Sequence, residues 1–339
     1  MSYPDLRLAV PPEVQSPSTW DGLVDQSPQG IFYCREWWLD AVAPGRYQLL
    51  TVRKGQEIRA GWPIVLAKNS KVPQIITPPL TQKLGILFAK STAKYSEDLA
   101  NQHKLIDELI EQLPAGAALA QNFHENFTNW LPFYWRGYQQ TSRYTYVLDN
   151  LSDTGALWDQ MRPTTRTQIR KAQKNGLRVV ETDDLEHFYR VNSKTFERQG
   201  LATPYRLEFV QRIDDACTRH AGRKIFMALG PDGRVRAAIY IVYDAQCAVL
   251  LLSGGDEDLR GDAAGSLLTW ESIRFAATVS RRFDFEGSML RPVERHYRGF
   301  GARQTPYFRI SGMAARPPKS PARHFIGRAL RKAARMIDG

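Results

Sequence analysis

Apolar and polar positions along the chain run through one scheme twice. In the first round, Arg35–Val42 has the spacing of a short helix ended by Pro44-Gly45. Tyr47–Arg53 and Arg59–Ala67 then form a predicted hairpin about the polar turn Lys54–Glu57. Proline-rich extended chain over Ile75–Leu80 leads to a predicted helix near Glu97–Gln112, and apolar strands near Ala118–Asn122 and Tyr144–Leu148 follow. In the second round, Asp183 and Asp184 cap a helix with Leu185, Phe188, Tyr189 and Phe196 among its apolar positions, stopped by Gly200. A helix with Phe209, Val210, Ile213 and Cys217 on one side comes next. It leads into a three-strand meander (Lys224–Leu229, Val235–Tyr243, Cys247–Ser253) and a helix over Ala264–Val279.

The segments Arg59–Val65 (RAGWPIV) and Arg236–Val242 (RAAIYIV) look like copies about half a chain apart. The pattern therefore predicts an α+β protein of two tandem domains. The expected boundaries are an irregular arm over 1–30, rich in Pro, Ser and Gln, a first domain over 31–150, a second over 151–313, and a basic tail over 314–339.

The last strand–helix–strand, Phe283–Ile310 (FDFEGSMLRPVERHYRGFGARQTPYFRI), carries the densest chemistry. Asp284 and Glu286 are two apart, so on a regular strand both carboxylates leave one face. The basic helix behind them offers Glu294, His296, Tyr297 and Arg298. Carboxylates beside such a helix suit removal of a proton from an amine and stabilisation of an acyl group under attack. The structural alternative for Asp284 and Glu286 is salt bridging to Arg281, Arg291 or Arg295.

Charge sharpens this picture. The net charge is +11, and residues 314–339 hold seven Lys/Arg against Asp338. Polyanionic partners follow: tRNA, a nucleotide-linked substrate or an anionic membrane face. Over Arg323–Ile337 the pattern predicts a basic amphipathic helix. In Met161–Gly176, Arg166, Arg170 and Lys174 share one predicted helical face with no acidic residue between Asp159 and Glu181, a candidate phosphate site. Ser253–Leu268 joins a strand to a helix through Gly254, Gly255, Gly261 and Gly265. Such a junction presents free N–H groups to a pyrophosphate or carboxylate, though Asp256, Glu257 and Asp258 oppose the former. The aromatic residues between Trp130 and Tyr146 fit core packing or stacking on bases and sugar rings. Three widely spaced cysteines predict reduced thiols, the six histidines make no metal-ligand array, and no apolar run reaches the ~20 residues of a membrane span. These features predict a cytoplasmic protein, with peripheral contact of 321–337 at the anionic inner membrane face as one role for the tail.

Thr165–Val179 (TRTQIRKAQKNGLRV), Gly265–Ala276 (GSLLTWESIRFA) and the FDFEGSM…ERHYRGFGA…PYFRI run together resemble the FemAB-like branch of the GNAT acyltransferases, most strongly over about 155–310. The resemblance implies tandem GNAT-like domains, each a mixed, mostly antiparallel sheet flanked by helices. It implies transfer of an acyl or aminoacyl group to an amine on a peptidoglycan or surface-polysaccharide precursor. The donor substrate is then aminoacyl-tRNA or acyl-CoA, with no tightly bound cofactor and no metal, and the acceptor is nucleotide-linked or lipid-linked. An alkylammonium has a pKa of about 10.4, so attack at neutral pH benefits from a base. Glu286, Asp284 and Glu294 are the candidates. Tyr297 could protonate the leaving group, and Arg298, Arg303 or an N–H beside Gly299–Gly301 could steady the oxyanion. Phosphate contacts fall to Arg166, Arg170, Lys174, Gly261, Gly265 and Arg303. The alternative reading is a catalytically inactive tandem module that binds RNA or anionic membrane through its basic face and tail.

Overall fold

In a computed structural model, residues 17–197, 200–255, 263–287 and 289–313 are described. The first half holds α1 (Trp20–Gln26), a 3-10 turn at Phe32–Cys34, α2 (Glu36–Val42), β1 (Tyr47–Lys54), β2 (Glu57–Leu66), β3 (Gln74–Ile76), β4 (Leu87–Phe88), α3 (Tyr95–Glu111), β5 (Ala118–Asn122), α4 (Leu131–Trp135) and β6 (Gln139–Leu148). Then come α5 (Thr154–Gln160), α6 (Pro163–Lys174), β7 (Arg178–Thr182), α7 (Leu185–Glu197), α8 (Leu207–His220), β8 (Gly222–Leu229), β9 (Val235–Tyr243), β10 (Cys247–Gly255), α9 (Ala264–Val279), β11 (Arg282–Asp284), α10 (Arg291–Arg298) and β12 (Arg303–Met313).

The duplicated pattern becomes duplicated topology. In the first half the antiparallel run β1-β2-β3 is followed, across α3, by β5 lying parallel to β3. In the second half β8-β9-β10 is followed, across α9, by β11 lying parallel to β10. The halves then exchange closing strands. The last strand of the first, β6, pairs with β11, whereas the last strand of the second, β12, pairs with β5 and also with β6. One continuous sheet results, running β1-β2-β3-β5-β12-β6-β11-β10-β9-β8-β7, with β4 beside β2. Because of the exchange, a boundary drawn at residue 150 parts β6 in sequence from the strands it pairs with.

The helices cover the sheet according to their apolar stripes. Thr165, Ile169 and Ala172 of α6 face the core shared with α9, Phe283 and Phe285. Phe188, Val210, Ile213 and Cys217 of α7 and α8 join Tyr33, Trp38 and Leu39 of the first half in a second core. A third core, around Trp62, Phe123 and Phe133, fills the first half; of the Trp130–Tyr146 aromatics, Trp130, Phe133 and Tyr138 pack there, Tyr146 joins the core shared with α9, and Tyr134 and Trp135 are exposed. The three cysteines are buried and unpaired with one another.

Within the expected arm, residues 20–26 are helical. The Thr19 side chain caps the helix by accepting from the Gly22 N–H, and Trp20, Leu23 and Val24 are buried at helical spacing, which overrides the polar composition. Residues 1–16 and the tail at 314–339 lie outside the described residues, and so does the amphipathic helix expected there. None of the described helices is long and apolar enough to cross a membrane.

Candidate active site

The site begins with a strand pair that comes apart. β10 pairs with β11 over Cys247–Val249 only, its register with β9 shifts between Leu250 and Leu252, and the remainder of β10 diverges from β11. The opening is a cavity of about 520 Å³ lined by β9 and β10, by Ala264, Gly265 and Ser266 at the start of α9, and by His296 and Tyr297 of α10. Gly265 faces open space: a Cβ there would meet no heavy atom within 4 Å. The first N–H groups of α9 have no partner within the helix, so its positive end borders the cavity. Arg236, buried and paired with Asp232 at 2.9 Å, lines the same space. His296 bonds Thr269 at 3.4 Å, and burial pushes its pKa down to about 4, leaving the imidazole neutral at pH 7.

The carboxylate of β11, Asp284, lies on the other side of the sheet. Phe283 and Phe285 point into the core shared with α9, so Asp284 between them points toward the first half. There its carboxylate is fully buried. It accepts from Lys83 Nζ at 2.6 Å, from the Thr145 hydroxyl, and from the Glu286 N–H at 2.8 Å. Lys83 also reaches Glu125 at 2.7 Å, and Arg282 binds the other oxygen of Glu125 at 2.6 Å. Burial alone would lower the Lys83 pKa, but Asp284 and Glu125 outweigh it and raise it, so the ammonium stays charged. Burial would raise the Glu125 pKa, yet the cations around it hold it well below the usual carboxylate range. His124, driven down to about 4 by burial, is neutral at pH 7, so the operative cations are Lys83 and Arg282.

Glu286 departs from the expected strand geometry. The Phe285 N–H bonds the Tyr146 carbonyl, but Glu286 and Gly287 then turn into left-handed conformations at φ of 59° and 60°. For a non-glycine residue that conformation costs about 1–2 kcal/mol, here held by the Asp284 bond to the Glu286 N–H. A Cβ on Gly287 would fall 2.2 Å from the Tyr144 carbonyl, so only glycine fits beside Glu286. The turn delivers the Glu286 carboxylate to Tyr33, whose hydroxyl donates to it. Tyr33 is wholly buried, wedged between Phe32 and Trp38. No cation pairs with Glu286 among the described residues, and burial raises its pKa well above the ordinary glutamate value. Tyr297, lining the cavity, is raised by burial and next by the nearby charges of Glu286 and Asp284, so its hydroxyl stays protonated.

The three acids therefore have three environments. Asp284 is a buried, fully partnered anchor, bound to Lys83 and not to the expected Arg281, Arg291 or Arg295. Glu294 is held ionised chiefly by Arg298, four residues on at 2.7 Å, with Tyr146 donating at 3.1 Å. Among the described residues Glu286 alone of the three, half-buried, has no cation beside it. Arg298 is occupied by Glu294, and Arg303 forks onto Asp149 at 2.7 and 3.0 Å; neither lines the cavity. The N–H groups of Gly299, Phe300 and Gly301 are consumed by the carbonyls of His296, Tyr297 and Arg298 as α10 closes, so the oxyanion contact expected at Gly299 and Gly301 is corrected. On α6, Arg166 meets Asp159 at 3.5 Å, Arg170 lies 5.4 Å over the Trp158 ring, and Lys174 is exposed; Gln168, between the two arginines, is the α6 residue that lines the cavity. Gly261 and Asp256–Asp258 lie outside the described residues. Tyr33, Lys83, Thr145 and Glu125 had no local signal in the sequence, since each gains its meaning from a partner far along the chain.

A family model described as an acetyltransferase (GNAT) domain matches residues 159–297, and the FemAB family model matches residues 98–216. A search of curated proteins by sequence finds no match. Among solved structures, FemX superposes with a TM-score of 0.65 at 12% identity, covering 85% of this chain and 94% of that one. The C-terminal domain (DUF2156) of a putative lysylphosphatidylglycerol synthetase from Agrobacterium fabrum gives 0.51 at 10% identity, over 86% and 92%. A tandem GNAT protein from the clavulanic acid biosynthesis pathway gives 0.50 at 11%, over 89% and 98%. At these identities the likeness is one of fold.

Two stability predictions follow from the buried charges. Lys83→Ala leaves the Asp284 carboxylate buried without its cation and should cost about 3–5 kcal/mol, read as a lower denaturant midpoint; an unchanged midpoint would contradict the pairing. For Glu286 the sign is opposite to that of a salt-bridged acid. Its folded pKa lies above the unfolded value near 4.5, so the folded state binds more protons and stability falls as pH rises from there to the folded pKa. Glu286→Gln should remove that slope and make the variant more stable than the parent at pH 8, with the difference vanishing near pH 4 in pH-resolved thermal melts.

Proposed function

Since this chain belongs to the FemAB-like branch of the GNAT acyltransferases and is an acyl- or aminoacyl-transferring enzyme, we propose that it joins an activated acyl or aminoacyl group to an amine through the gap between β10 and β11, with Glu286 as general base. One observation carries this reading: a half-buried glutamate with no cation beside it among the described residues, held in a strained turn on one side of the sheet, within electrostatic reach of a tyrosine that lines a cavity on the other. A base is most effective when its pKa lies near the working pH, and burial moves Glu286 toward that range.

The donor, acyl-CoA or aminoacyl-tRNA, occupies the cavity. Its phosphates lie toward the open start of α9 at Gly265 and toward Arg236, and its ester or thioester carbonyl lies in the splay. The acceptor approaches from the seam between the halves, where a second cavity of about 700 Å³ is lined by Arg35, Lys83, Glu125, Arg282 and Asp284. That mixed-charge lining suits an acceptor bearing both signs, such as the amino-bearing part of a nucleotide-linked or lipid-linked envelope precursor. Glu286 takes the ammonium proton and the amine attacks the carbonyl carbon. The register shift around Leu251 leaves the strand ladder interrupted where an oxyanion would need an N–H. As the C–S or C–O bond breaks, Tyr297 gives its proton to the leaving group and is reprotonated by the second proton that the attacking nitrogen sheds in becoming an amide. Tyr33 and Asp284 act as positioning residues, one fixing the Glu286 carboxylate and the other its backbone.

The experiment offers the purified chain labelled acetyl-CoA or labelled aminoacyl-tRNA with a panel of amine acceptors. Transfer should depend on one donor class, and Glu286→Gln should lower kcat by about 100-fold or more with little change in KM. The parent's rate should rise with pH through the Glu286 pKa, a limb absent from the variant. Full activity of Glu286→Gln would exclude the assignment.

A further inference from the structure

The cavity of about 700 Å³ in the seam between the halves is mixed in charge by residue type, but its acids and its donors are not equally committed. Every acid that lines it already has a partner. Asp284 and Glu125 hold Lys83 between them at 2.6 and 2.7 Å, and the other oxygen of Glu125 accepts from Arg282 at 2.6 Å. Asp25 is bonded to Arg35, and Arg303 forks onto Asp149. Asp244 accepts from the N–H groups of Gln246 and Cys247 at 2.8 and 2.9 Å. The donors, by contrast, are in surplus. Lys90 and Arg281, both exposed, line the cavity with no side-chain partner among the described residues. Arg282 spends Nη2 on Glu125, its Nε is buried without a partner, and nothing among the described residues takes its Nη1 protons. His124 lines the same wall and is 3% exposed. Its Nδ1 accepts from the Asn126 N–H at 3.1 Å, so the ring proton of the neutral imidazole sits on Nε2, which no acceptor takes among the described residues.

We propose that this cavity is a receptor for an oxyanion, a carboxylate or phosphate group carried by the acceptor, held by Arg281, Arg282, Lys90 and His124. The assignment rests on the reading that the acceptor amine enters by the seam, and it adds what orients that acceptor. Unmatched donors in a buried wall call for a partner, and positive charge gathered in a cleft concentrates anions. Guanidinium N–H groups fit the oxygens of either kind of anion, and a charge-assisted bond is stronger than a neutral one. An ammonium group would gain little here, because each acid it could pair with is already taken. Asp284 belongs both to the wall of this cavity and to the Glu286 turn, where it accepts from the Glu286 N–H at 2.8 Å. An acceptor anchored by its anion is thereby held beside the base, with its amine left for Glu286.

The test has a binding arm and a transfer arm. In the first, the melting temperature of the full chain is followed in sodium phosphate and in sodium succinate, against sodium chloride of equal ionic strength. At least one of the two oxyanions should stabilise the parent saturably, and which one does so identifies the group. Lys90→Gln/Arg281→Gln breaks no ion pair among the described residues, so this variant should melt with the parent in chloride. It should need about tenfold more oxyanion to reach half the shift. Arg282→Lys, which keeps a cation for Glu125 but loses the guanidinium fork, should show a similar loss. In the transfer arm, amines matched in size with and without a carboxylate or phosphate are compared as acceptors. The parent should favour the anionic member by about tenfold or more in kcat/KM, chiefly through KM, and Lys90→Gln/Arg281→Gln should erase that preference. Equal responses of parent and variant to both oxyanions overturn the proposal, as does transfer that is indifferent to the acceptor's anion. Saturable oxyanion binding that the variant loses, with no transfer from either donor class, supports the receptor and counts instead against the transfer reading.

Discussion

The Asp284 carboxylate, buried against Lys83, is the interaction on which the arrangement of the site depends. Removing two charges from water is costly, and the cost is offset only when partners are close and the remaining lone pairs are satisfied. Here Lys83, Thr145 and the Glu286 N–H together use both oxygens of Asp284. Lys83 belongs to the first half and Asp284 to the second, so the pair locks the two across the seam. The same carboxylate holds the next-but-one residue in a conformation it would otherwise leave.

That lock has a chemical result. A regular strand would place Glu286 beside Asp284, facing the same Lys83, and the two acids would compete for one cation. The left-handed turn at Glu286 and Gly287 separates them. Asp284 keeps the cation and remains structural, while Glu286 is carried to Tyr33, where burial raises its proton affinity. Two carboxylates two residues apart thereby take different roles through their surroundings alone. The exchange of β6 and β12 between the halves is what makes the surroundings available, because it brings Thr145 of β6 alongside β11.

Much of the fold was legible in the sequence because periodicity and turn chemistry are local. The hairpin about Lys54–Glu57, the strand Ala118–Asn122, the meander after Gly222 and the helix over Ala264–Val279 follow from apolar spacing and from where Gly and Pro interrupt it. The likeness of Arg59–Val65 to Arg236–Val242 anticipated the repeated strand–helix–parallel strand unit. The exchange of closing strands left no such trace, since β6 and β12 have the same apolar alternation whichever neighbour they pair with. In the site, the Phe283–Ile310 segment supplies Asp284 to the buried ion pair and Glu286 and Tyr297 to the proposed chemistry. Arg166 and Arg170 did not join them. Their four-residue spacing fixed a common helical face but not which way that face would look, and it is Gln168 that α6 turns to the cavity.

By itself, the sequence determined the element types, the two-fold repetition, the cationic tail and the kinds of side chain available for acyl transfer, because these depend on neighbours within a few residues. The tertiary structure decided which acid is paired and which is left with a raised proton affinity, where the sheet opens, and that Tyr33 and Lys83 serve a segment some 200 residues and more away. Proton affinity and ion pairing are set by burial and by charges brought within a few ångströms, and chain order does not encode those distances.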